Sequence, residues 1–125
     1  MPKVTGIGGV FFKSEDPEKL YAWYERHLGI SRKDGFVAFP WRVEGDSDQV
    51  GMTVWSLFSR QSDYFSPSES PFMINYRVDD LDGLLDALAA DGVAVNPKRE
   101  DHEYGRFAWI VDPEGNKIEL WQPPS

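Results

Sequence analysis

The order of predicted secondary structure in the first half of the chain returns in the second half. Three short strand segments of one half align with three of the other in the same order, which is hard to obtain by chance. The aligned pairs are Gly9–Lys13 with Met73–Arg77, Gly35–Phe39 with Gly105–Trp109, and Met52–Trp55 with Ile118–Trp121. An internal repeat of this kind indicates a duplicated structural unit. We therefore predict two tandem β-α-β-β-β modules and the α+β fold class.

Each module contains one amphipathic helix with recognisable ends. In the first module Asp16 is a suitable N-cap, and Pro17 suits the first helical position, where its missing N–H costs nothing. Apolar residues then recur on one face as far as Gly29, which favours a left-handed helix end. The pattern predicts a helix over residues 17–28. The second helix has a capping pair, a leucine stripe and a closing glycine, namely Asp79-Asp80, Leu81, Leu84, Leu85, Leu88 and Gly92.

The rest of the chain has the composition of strands, turns and one linker. Short apolar or alternating runs predict strands, and clusters of Pro, Gly, Asp, Asn and Ser predict turns. The predicted strands are residues 6–13, 36–43, 49–58, 72–78, 93–95, 106–111 and 117–122. A polar loop is predicted over 96–104, with polar turns over 44–48 and 112–116. These assignments predict one domain over 1–125, with module one at about 4–60, a linker at about 61–70 and module two at about 71–123.

Composition excludes several classes of partner. The 13 basic and 21 acidic residues give a formal net charge of −8, which opposes binding to nucleic-acid phosphates or to an anionic membrane. The chain has no cysteine, so thiol chemistry, disulfides and cysteine-held metal clusters are excluded. No apolar run approaches the length of a membrane span, and the first residues lack a signal-peptide pattern. We expect a cytoplasmic protein with neither nucleic acid nor membrane as partner.

Two motifs relate the chain to a known superfamily. The first helix ends with Trp23-Tyr24 and His27-Leu28-Gly29, and the last hairpin carries Asp112-Pro-Glu-Gly-Asn-Lys-Ile-Glu-Leu120. With the tandem modules, these motifs resemble the vicinal oxygen chelate superfamily, which includes glyoxalase I, bleomycin-resistance proteins, fosfomycin-resistance proteins and extradiol dioxygenases. The resemblance implies sheets that curl around a shared cup, often completed by dimerisation. A glyoxalase/bleomycin resistance-like fold and a homodimer are therefore expected.

The resemblance also implies where a metal would be held. Metal-dependent members take one ligand from the first and one from the last strand of each module, usually His, Glu or Gln. On this sequence the last position falls on Glu119, a competent ligand, and the others fall on Gly9, Thr53 and Met73. Glycine has no side chain, threonine is a weak ligand, and a thioether suits copper(I) better than a hard divalent ion. Glu119 is the only matching ligand, so we expect no complete metal site and no cofactor.

Strand alternation predicts the lining of the cup, because residues two apart on a strand share a face. The predicted ligand-binding residues are Phe11, Thr53, Trp55, Met73, Asn75, Arg77 and Trp121, with Lys13 and Lys117 on the same face. Apolar walls with a few polar groups are typical of a small-molecule pocket. One alternative stays open, in which Trp55 and Trp121 only fill a small curled sheet and Arg77 or Lys13 neutralises Glu119 in a buried pair.

Two further segments carry aromatic and polar groups near the predicted cup. The cluster His102-Glu103-Tyr104 is either a rim or lid of the cup or a solvated loop. In the linker, Tyr64 and Phe65 stand in an otherwise polar stretch. They cover the mouth of the cup, pack at a dimer interface or anchor the linker to the core.

Three functions are compatible with these residues. The first is a metal-dependent lyase, isomerase or dioxygenase of the glyoxalase type, in which Glu119 is a metal ligand or a general acid or base. The second is a binding protein, like bleomycin-resistance proteins, that holds a small organic molecule between Trp55 and Trp121. The third is a protein-binding module or DNA mimic that uses its acidic surface. The missing ligands favour the second, so we predict a small molecule bound in the cup and leave the catalytic role of Glu119 open.

Overall fold

The computed structural model describes residues 2–124, apart from the side chain of residue 47. Within this range the chain forms seven strands and two helices. They are β1 (Val4–Ser14), α1 (Pro17–Leu28), β2 (Val37–Val43), β3 (Asp46–Ser59), β4 (Phe72–Val78), α2 (Leu81–Ala90), β5 (Val95–His102), β6 (Gly105–Val111) and β7 (Lys117–Gln122). The strands form one mixed sheet in the order β2-β3-β1-β4-β7-β6-β5. The predicted α+β class is confirmed.

The two halves of the chain meet at the centre of the sheet. β1 and β4, the first strand of each half, pair antiparallel, and each pairs in parallel with the last strand of its own half. The halves therefore occupy equivalent positions on either side of the β1–β4 pair, as the internal repeat predicts. The first half has the three strands predicted individually, but not the fourth that the β-α-β-β-β order requires. An isolated bridge between Lys33 and Phe36 stands where the second half has β5.

Both helices begin where the capping residues predict. The Asp16 side chain accepts a hydrogen bond from the backbone N–H of Lys19 at 3.2 Å, and α1 ends at Gly29, whose φ is 69°. The Asp80 carboxylate accepts from the backbone N–H of Gly83 at 3.1 Å at the start of α2. With 12 and 10 residues, neither helix in the described part of the chain has the length and apolar character that crossing a membrane requires.

One predicted loop is a strand. β5 continues to His102, so the prediction of a short strand over 93–95 and a polar loop over 96–104 is wrong. β5 lies at the edge of the sheet and pairs only with β6. Edge strands commonly carry charged side chains that discourage pairing with other chains, and this gives β5 the composition of a loop. The turn predicted over 44–48 is also shorter, since β3 begins at Asp46.

Two hydrophobic clusters lie on opposite faces of the second half of the sheet. Successive residues of β4, β6 and β7 point to alternate faces. Under α2 lies a cluster of Val78, Leu81, Leu85, Ala108, Ile110 and Leu120. On the other face, which we call the cup face, lies a cluster of Phe11, Phe65, Met73 and Trp109. The cup face also carries Glu119, so the functional candidates lie on the side of the sheet away from α2.

Candidate functional site

The register of β4, β7 and β6 brings Asn75, Glu119 and Trp109 side by side. Asn75 is the cross-strand partner of Glu119 on β4, and Trp109 is its partner on β6. Paired residues of neighbouring strands share a face of the sheet. These three side chains therefore form one row on the cup face. A second row, Arg77 and Trp121, lies two residues further along the same strands, at a distance of about 7 Å.

Glu119 is buried and surrounded by hydrogen-bond donors. Its side chain is 3% exposed. The Asn75 amide donates to Oε1 at 2.7 Å, and the Trp109 indole N–H donates to Oε2 at 3.0 Å. The Tyr64 hydroxyl also donates to Oε2. Three donors on two oxygens suit an ionised carboxylate, which accepts hydrogen bonds only. We call these four residues the Glu119 cluster.

Burial shifts the pKa values of two side chains near Glu119, namely those of Tyr64 and Lys117. Burial, and then the negative charge of Glu119, raise the pKa of the Tyr64 phenol far above its usual value. Burial lowers the pKa of Lys117, because a desolvated ammonium loses its hydration. The Lys117 ammonium donates to the Tyr64 carbonyl at 2.8 Å and lies 5.6 Å from the centre of the Trp109 ring. Hydrogen bonds thus connect Glu119 with the side chains around it on the cup face, and Lys117 with the linker.

The linker fills the centre of the cup. Phe65 is completely buried against Phe11, Met73 and Trp109, and Tyr64 reaches Glu119 beside it. Of the three roles left open for these aromatics, the contacts correspond to anchoring the linker to the core. Phe11 and Met73, both predicted to bind ligand, are packing partners of this anchor.

Asn75 has one polar atom without a partner. Its Oδ1 is buried and accepts no hydrogen bond within residues 2–124. A Cβ at position 8 would collide with this oxygen, so Gly8 is needed for close approach of β1 to β4. The other end of the amide is fixed on Glu119, which holds Asn75 in this orientation.

A cavity of about 580 Å³ opens beside the second row of the cup face. We call it the Arg77 cavity. It is lined by Thr5, Gln49, Val50, Gly51, Met52, Arg77, Val78, Asp79, Trp121, Gln122, Pro123 and Pro124. Arg77 is 8% exposed, and its guanidinium donates to Thr5 Oγ1 and to Gln49 Oε1, both at 2.7 Å. Trp41 stacks nearby, with its ring centre 5.9 Å from the Arg77 Cζ.

Aromatic side chains continue from the cavity to the exposed edge of the sheet. The Trp121 ring stacks on Phe107 with centroids 6.4 Å apart, and its indole donates to the Tyr104 carbonyl at 2.9 Å. His102 stacks on Tyr104 at 4.9 Å and contacts Glu100 at 2.8 Å. His102 and Tyr104 therefore lie next to Trp121, at the end of β5 and in the following turn rather than in a long loop.

Two predicted cup residues lie away from the Glu119 cluster, and one of them, Trp55, is on the opposite face of the sheet. Trp55 packs under α1, with its ring 4.8 Å from Tyr24 and 5.9 Å from Tyr21, so its predicted place on the cup face is wrong. On β3, Val54 is the residue that packs against the cluster of Phe11 on the cup face. Trp55 comes one residue later, and a shift of one residue moves a side chain to the other face. Thr53 bonds the Trp41 indole at 2.9 Å and the Ile7 carbonyl, away from the Glu119 cluster.

Some residues of the site were missed by the sequence analysis. Trp109 was recoverable, since the turn over 112–116 sets the register of the last hairpin and places Trp109 opposite Glu119. Tyr64, Thr5 and Gln49 were not, because the contacts they make span 28 to 72 residues of sequence. The only signal for Tyr64 was its aromatic character in a polar linker.

The residues present do not fit a divalent metal. In the stretch from residue 2 to residue 124, no three His, Cys, Asp or Glu side chains lie close enough to share an ion. The groups around Glu119 are an amide, an indole and a phenol that point N–H and O–H bonds at the carboxylate. A hard divalent cation instead needs several oxygen or nitrogen lone pairs at this position.

Comparison with family profiles relates the chain to a large superfamily. The profile described as Glyoxalase/Bleomycin resistance protein/Dioxygenase superfamily matches residues 6–120. A search of curated proteins finds no match.

Solved structures share the fold over nearly the whole chain. A Streptomyces coelicolor methylmalonyl-CoA epimerase variant in complex with 2-nitronate-propionyl-CoA has a TM-score of 0.69 at 13% identity, covering 98% of this chain and 100% of that one. For methylmalonyl-CoA epimerase from Mycobacterium tuberculosis the TM-score is 0.58 at 23% identity, with coverage of 98% and 90%. NAD-dependent benzaldehyde dehydrogenase from Legionella pneumophila gives 0.59 at 13% identity, with coverage of 93% and 98%. At these identities the likeness shows the fold alone.

Proposed function

Because the chain belongs to the glyoxalase/bleomycin resistance protein/dioxygenase superfamily, we propose that it binds a small organic molecule in its sheet cup, at the Arg77 cavity. The observation that carries this proposal is the cavity itself. Its volume of about 580 Å³ falls within the range of ligand sites, roughly 300–1,000 Å³. Apolar walls of Val50, Met52 and Trp121 with a few polar groups are the usual composition of such sites.

The proposed binding needs no metal held by four protein ligands. Glu119 is the only side chain that matches the ligand pattern of the superfamily, and three donors already engage it. In this proposal Glu119 organises the row beside the cavity by fixing Asn75, Trp109 and Tyr64. The same contacts disfavour the alternative of lyase, isomerase or dioxygenase chemistry at Glu119, since a substrate would have to displace Tyr64 to reach the carboxylate.

The structural neighbours support a small-molecule ligand by analogy. Five of the epimerase structures contain 2-nitronate-propionyl-CoA or methylmalonyl-CoA. A shared fold supports a shared type of site more than a shared ligand. The ligand of this chain is therefore argued from its own cavity.

We also propose that the protein is a homodimer. Large apolar side chains are exposed on the first half of the chain, and Phe36 and Phe39 are among those outside the Arg77 cavity. Exposed apolar patches of this kind mark interaction surfaces. Light scattering after gel filtration should give about twice 14.3 kDa, and a mass of one chain would contradict the dimer. The cytoplasmic location stays a prediction.

A thermal-shift screen tests the binding proposal. Metal-depleted protein in EDTA is scanned against a library of small organic compounds, and hits are repeated on two variants. Val50→Trp fills the cavity from its exposed wall, and Val4→Trp is the matched control on a strand residue outside the cavity. We expect hits to raise the melting temperature of the wild type and of Val4→Trp but not of Val50→Trp. A library without hits, or hits unaffected by Val50→Trp, contradicts binding at this cavity.

A further inference from the structure

Arg77 differs from the other paired arginines of the chain. Exposed arginines form ion pairs with carboxylates, namely Arg32 with Glu18, Arg60 with Glu15, Arg99 with Asp82, and Arg106 with Asp82 and Asp101. Arg77 is buried, and its partners Thr5 and Gln49 are neutral. Across residues 2–124, no carboxylate oxygen lies within 4.0 Å of its guanidinium. The buried arginine of the described chain thus has no counter-charge.

The charge of Arg77 is held in place rather than neutralised. The Thr5 hydroxyl accepts from the guanidinium at 2.7 Å and contacts the Arg77 carbonyl at 3.3 Å, so it fixes both ends of the residue. A buried charge without an opposite charge is costly even when neutral groups hydrogen-bond it. A guanidinium has five N–H bonds, and Thr5 and Gln49 occupy two of them. The remaining donors belong to a residue that lines the Arg77 cavity.

The cavity suits an anion with one charge and an apolar body. Among residues 2–124, Arg77 is the only cationic side chain in its lining and Asp79 the only acidic one. The Asp79 carboxylate accepts from the backbone N–H of Lys3 at 2.9 Å. A phosphate carries more charge than one arginine neutralises beside this acid, whereas a carboxylate matches one guanidinium in charge and in planar shape. Val50, Met52, Trp121 and the two prolines offer apolar contact to the rest of the molecule.

We propose that the ligand of the Arg77 cavity is an organic acid whose carboxylate is bound by Arg77 and whose apolar or aromatic body lies along Trp121 and Met52. This inference rests on the proposed function, because it names the ligand class of the same cavity. Thr5 and Gln49 act as positioning residues that hold the guanidinium for the carboxylate. The excess negative charge of the protein does not favour anions in general, so selectivity for an acid has to come from this single buried cation.

Matched ligands test the assignment. Arylalkyl and branched aliphatic carboxylates, with 4-phenylbutyrate as the first, are titrated against their primary amides and against phenethyl phosphate by NMR chemical-shift perturbation. We expect the carboxylate to bind at least about tenfold more tightly than the amide, as a charge-assisted hydrogen bond to a buried group does. In Arg77→Gln this preference should disappear. Arg60→Gln removes the same charge from the surface pair with Glu15, and should leave the preference intact.

A second variant pair keeps the test valid if Arg77→Gln does not fold. Val50 is 56% exposed on the cavity wall, so Val50→Glu and Val50→Gln are expected to fold. Val50→Glu should weaken the carboxylate by about tenfold relative to Val50→Gln and leave the amide unchanged, because it puts a like charge beside the ligand.

Three results overturn the inference. Equal binding of acid and amide, or a preference that survives Arg77→Gln or Val50→Glu, refutes the role of Arg77 while cavity binding stands. Tighter binding of the phosphate than of the carboxylate refutes the carboxylate class. Binding of none of these compounds, together with an empty thermal-shift screen, refutes both the inference and the proposed function.

Discussion

The two halves of the molecule share an order of strand, helix and further strands, although the second half has one strand more, and they bury different amounts of their helices. α2 places Leu81 and Leu85 in a closed cluster against β4, β6 and β7. α1 has no fully buried residue, and Leu28 at its end is 60% exposed. The second half therefore contains the closed cluster under α2 and three of the four residues of the Glu119 cluster, whereas the first half offers exposed apolar side chains. The duplicated units therefore differ in what they contribute: the second half contributes a closed buried cluster, and the first half exposes apolar surface that is available for contacts.

The largest expected effect concerns the residue that joins the two halves. Phe65 contacts Phe11 of the first half and Met73 and Trp109 of the second. Phe65→Ala should lower the free energy of unfolding by about 4 kcal/mol, since removal of a buried aromatic ring leaves a cavity. Urea denaturation followed by Trp fluorescence measures it. A loss below about 1 kcal/mol, the scale of a surface change, would mean that the linker is not an anchor.

The next prediction compares the helices directly. Leu81→Ala in α2 should cost about 3 kcal/mol, because Leu81 is completely buried. Leu28→Ala in α1 should cost less than about 0.5 kcal/mol, as exposed positions usually do. The same denaturation experiment checks the pair. Similar losses at both positions would show that α1 is covered in solution, which the proposed dimer would have to explain.

A pH experiment isolates Tyr64 in the Glu119 cluster. Burial, and then the charge of Glu119, raise the pKa of Tyr64 above its usual 10.0. A phenol with a raised pKa in the folded state contributes stability below pH 10 that is lost as the pH rises further. The unfolding free energy of wild type should therefore fall more steeply above about pH 10 than that of Tyr64→Phe.

Lys117 contributes with the opposite sign. Burial lowers its pKa from 10.5, so its contribution to stability rises with pH up to that value. Subtracting the pH profile of Tyr64→Phe from that of wild type removes the Lys117 contribution from the comparison. The variant keeps the contact of Lys117, because Lys117 bonds the backbone carbonyl of residue 64. Parallel pH profiles of the two proteins would contradict the contact between Tyr64 and Glu119.

The smallest expected effect is at the helix caps. Asp16→Ala and Asp80→Ala each remove one side-chain bond to a helix N–H, worth about 1 kcal/mol. Hydrogen exchange should show local opening of α1 in Asp16→Ala and a loss of global stability in Asp80→Ala, because only α2 is fixed by buried leucines. Global destabilisation by both variants would remove the distinction between the halves.

Local signals in the sequence predicted much of the fold. The N-caps Asp16 and Asp80 and the glycine at position 29 act within a few residues, and both helices begin where these residues predict. β5 was missed because charged residues at a sheet edge resemble a loop. Trp55 was placed on the wrong face because the repeat aligned it with Trp121. In the structure β3 pairs Val54 with Gly9 and Ser56 with Phe11, and a shift by an odd number of residues reverses the face.

The candidate site was predictable only in part. Glu119 and Asn75 followed from the resemblance and from strand alternation, and the structure places them in contact. The alternative in which Arg77 or Lys13 neutralises Glu119 does not match the structure, since its described partners are Tyr64, Asn75 and Trp109. Arg77 instead bonds Thr5 and Gln49 from distant parts of the sequence. Such contacts depend on how the halves curl together, which no local pattern records.

The location of a bound ligand tests the central claim most directly. Metal-depleted protein labelled with ¹⁵N is titrated with 4-phenylbutyrate, and amide and indole shifts are followed by residue. The account predicts saturable shifts at Gly51, Gln122 and the Trp121 indole, which surround the Arg77 cavity, with little change at Tyr64 and Trp109. Shifts centred on Tyr64 and Trp109 would contradict it, because the ligand would then have opened the Glu119 cluster.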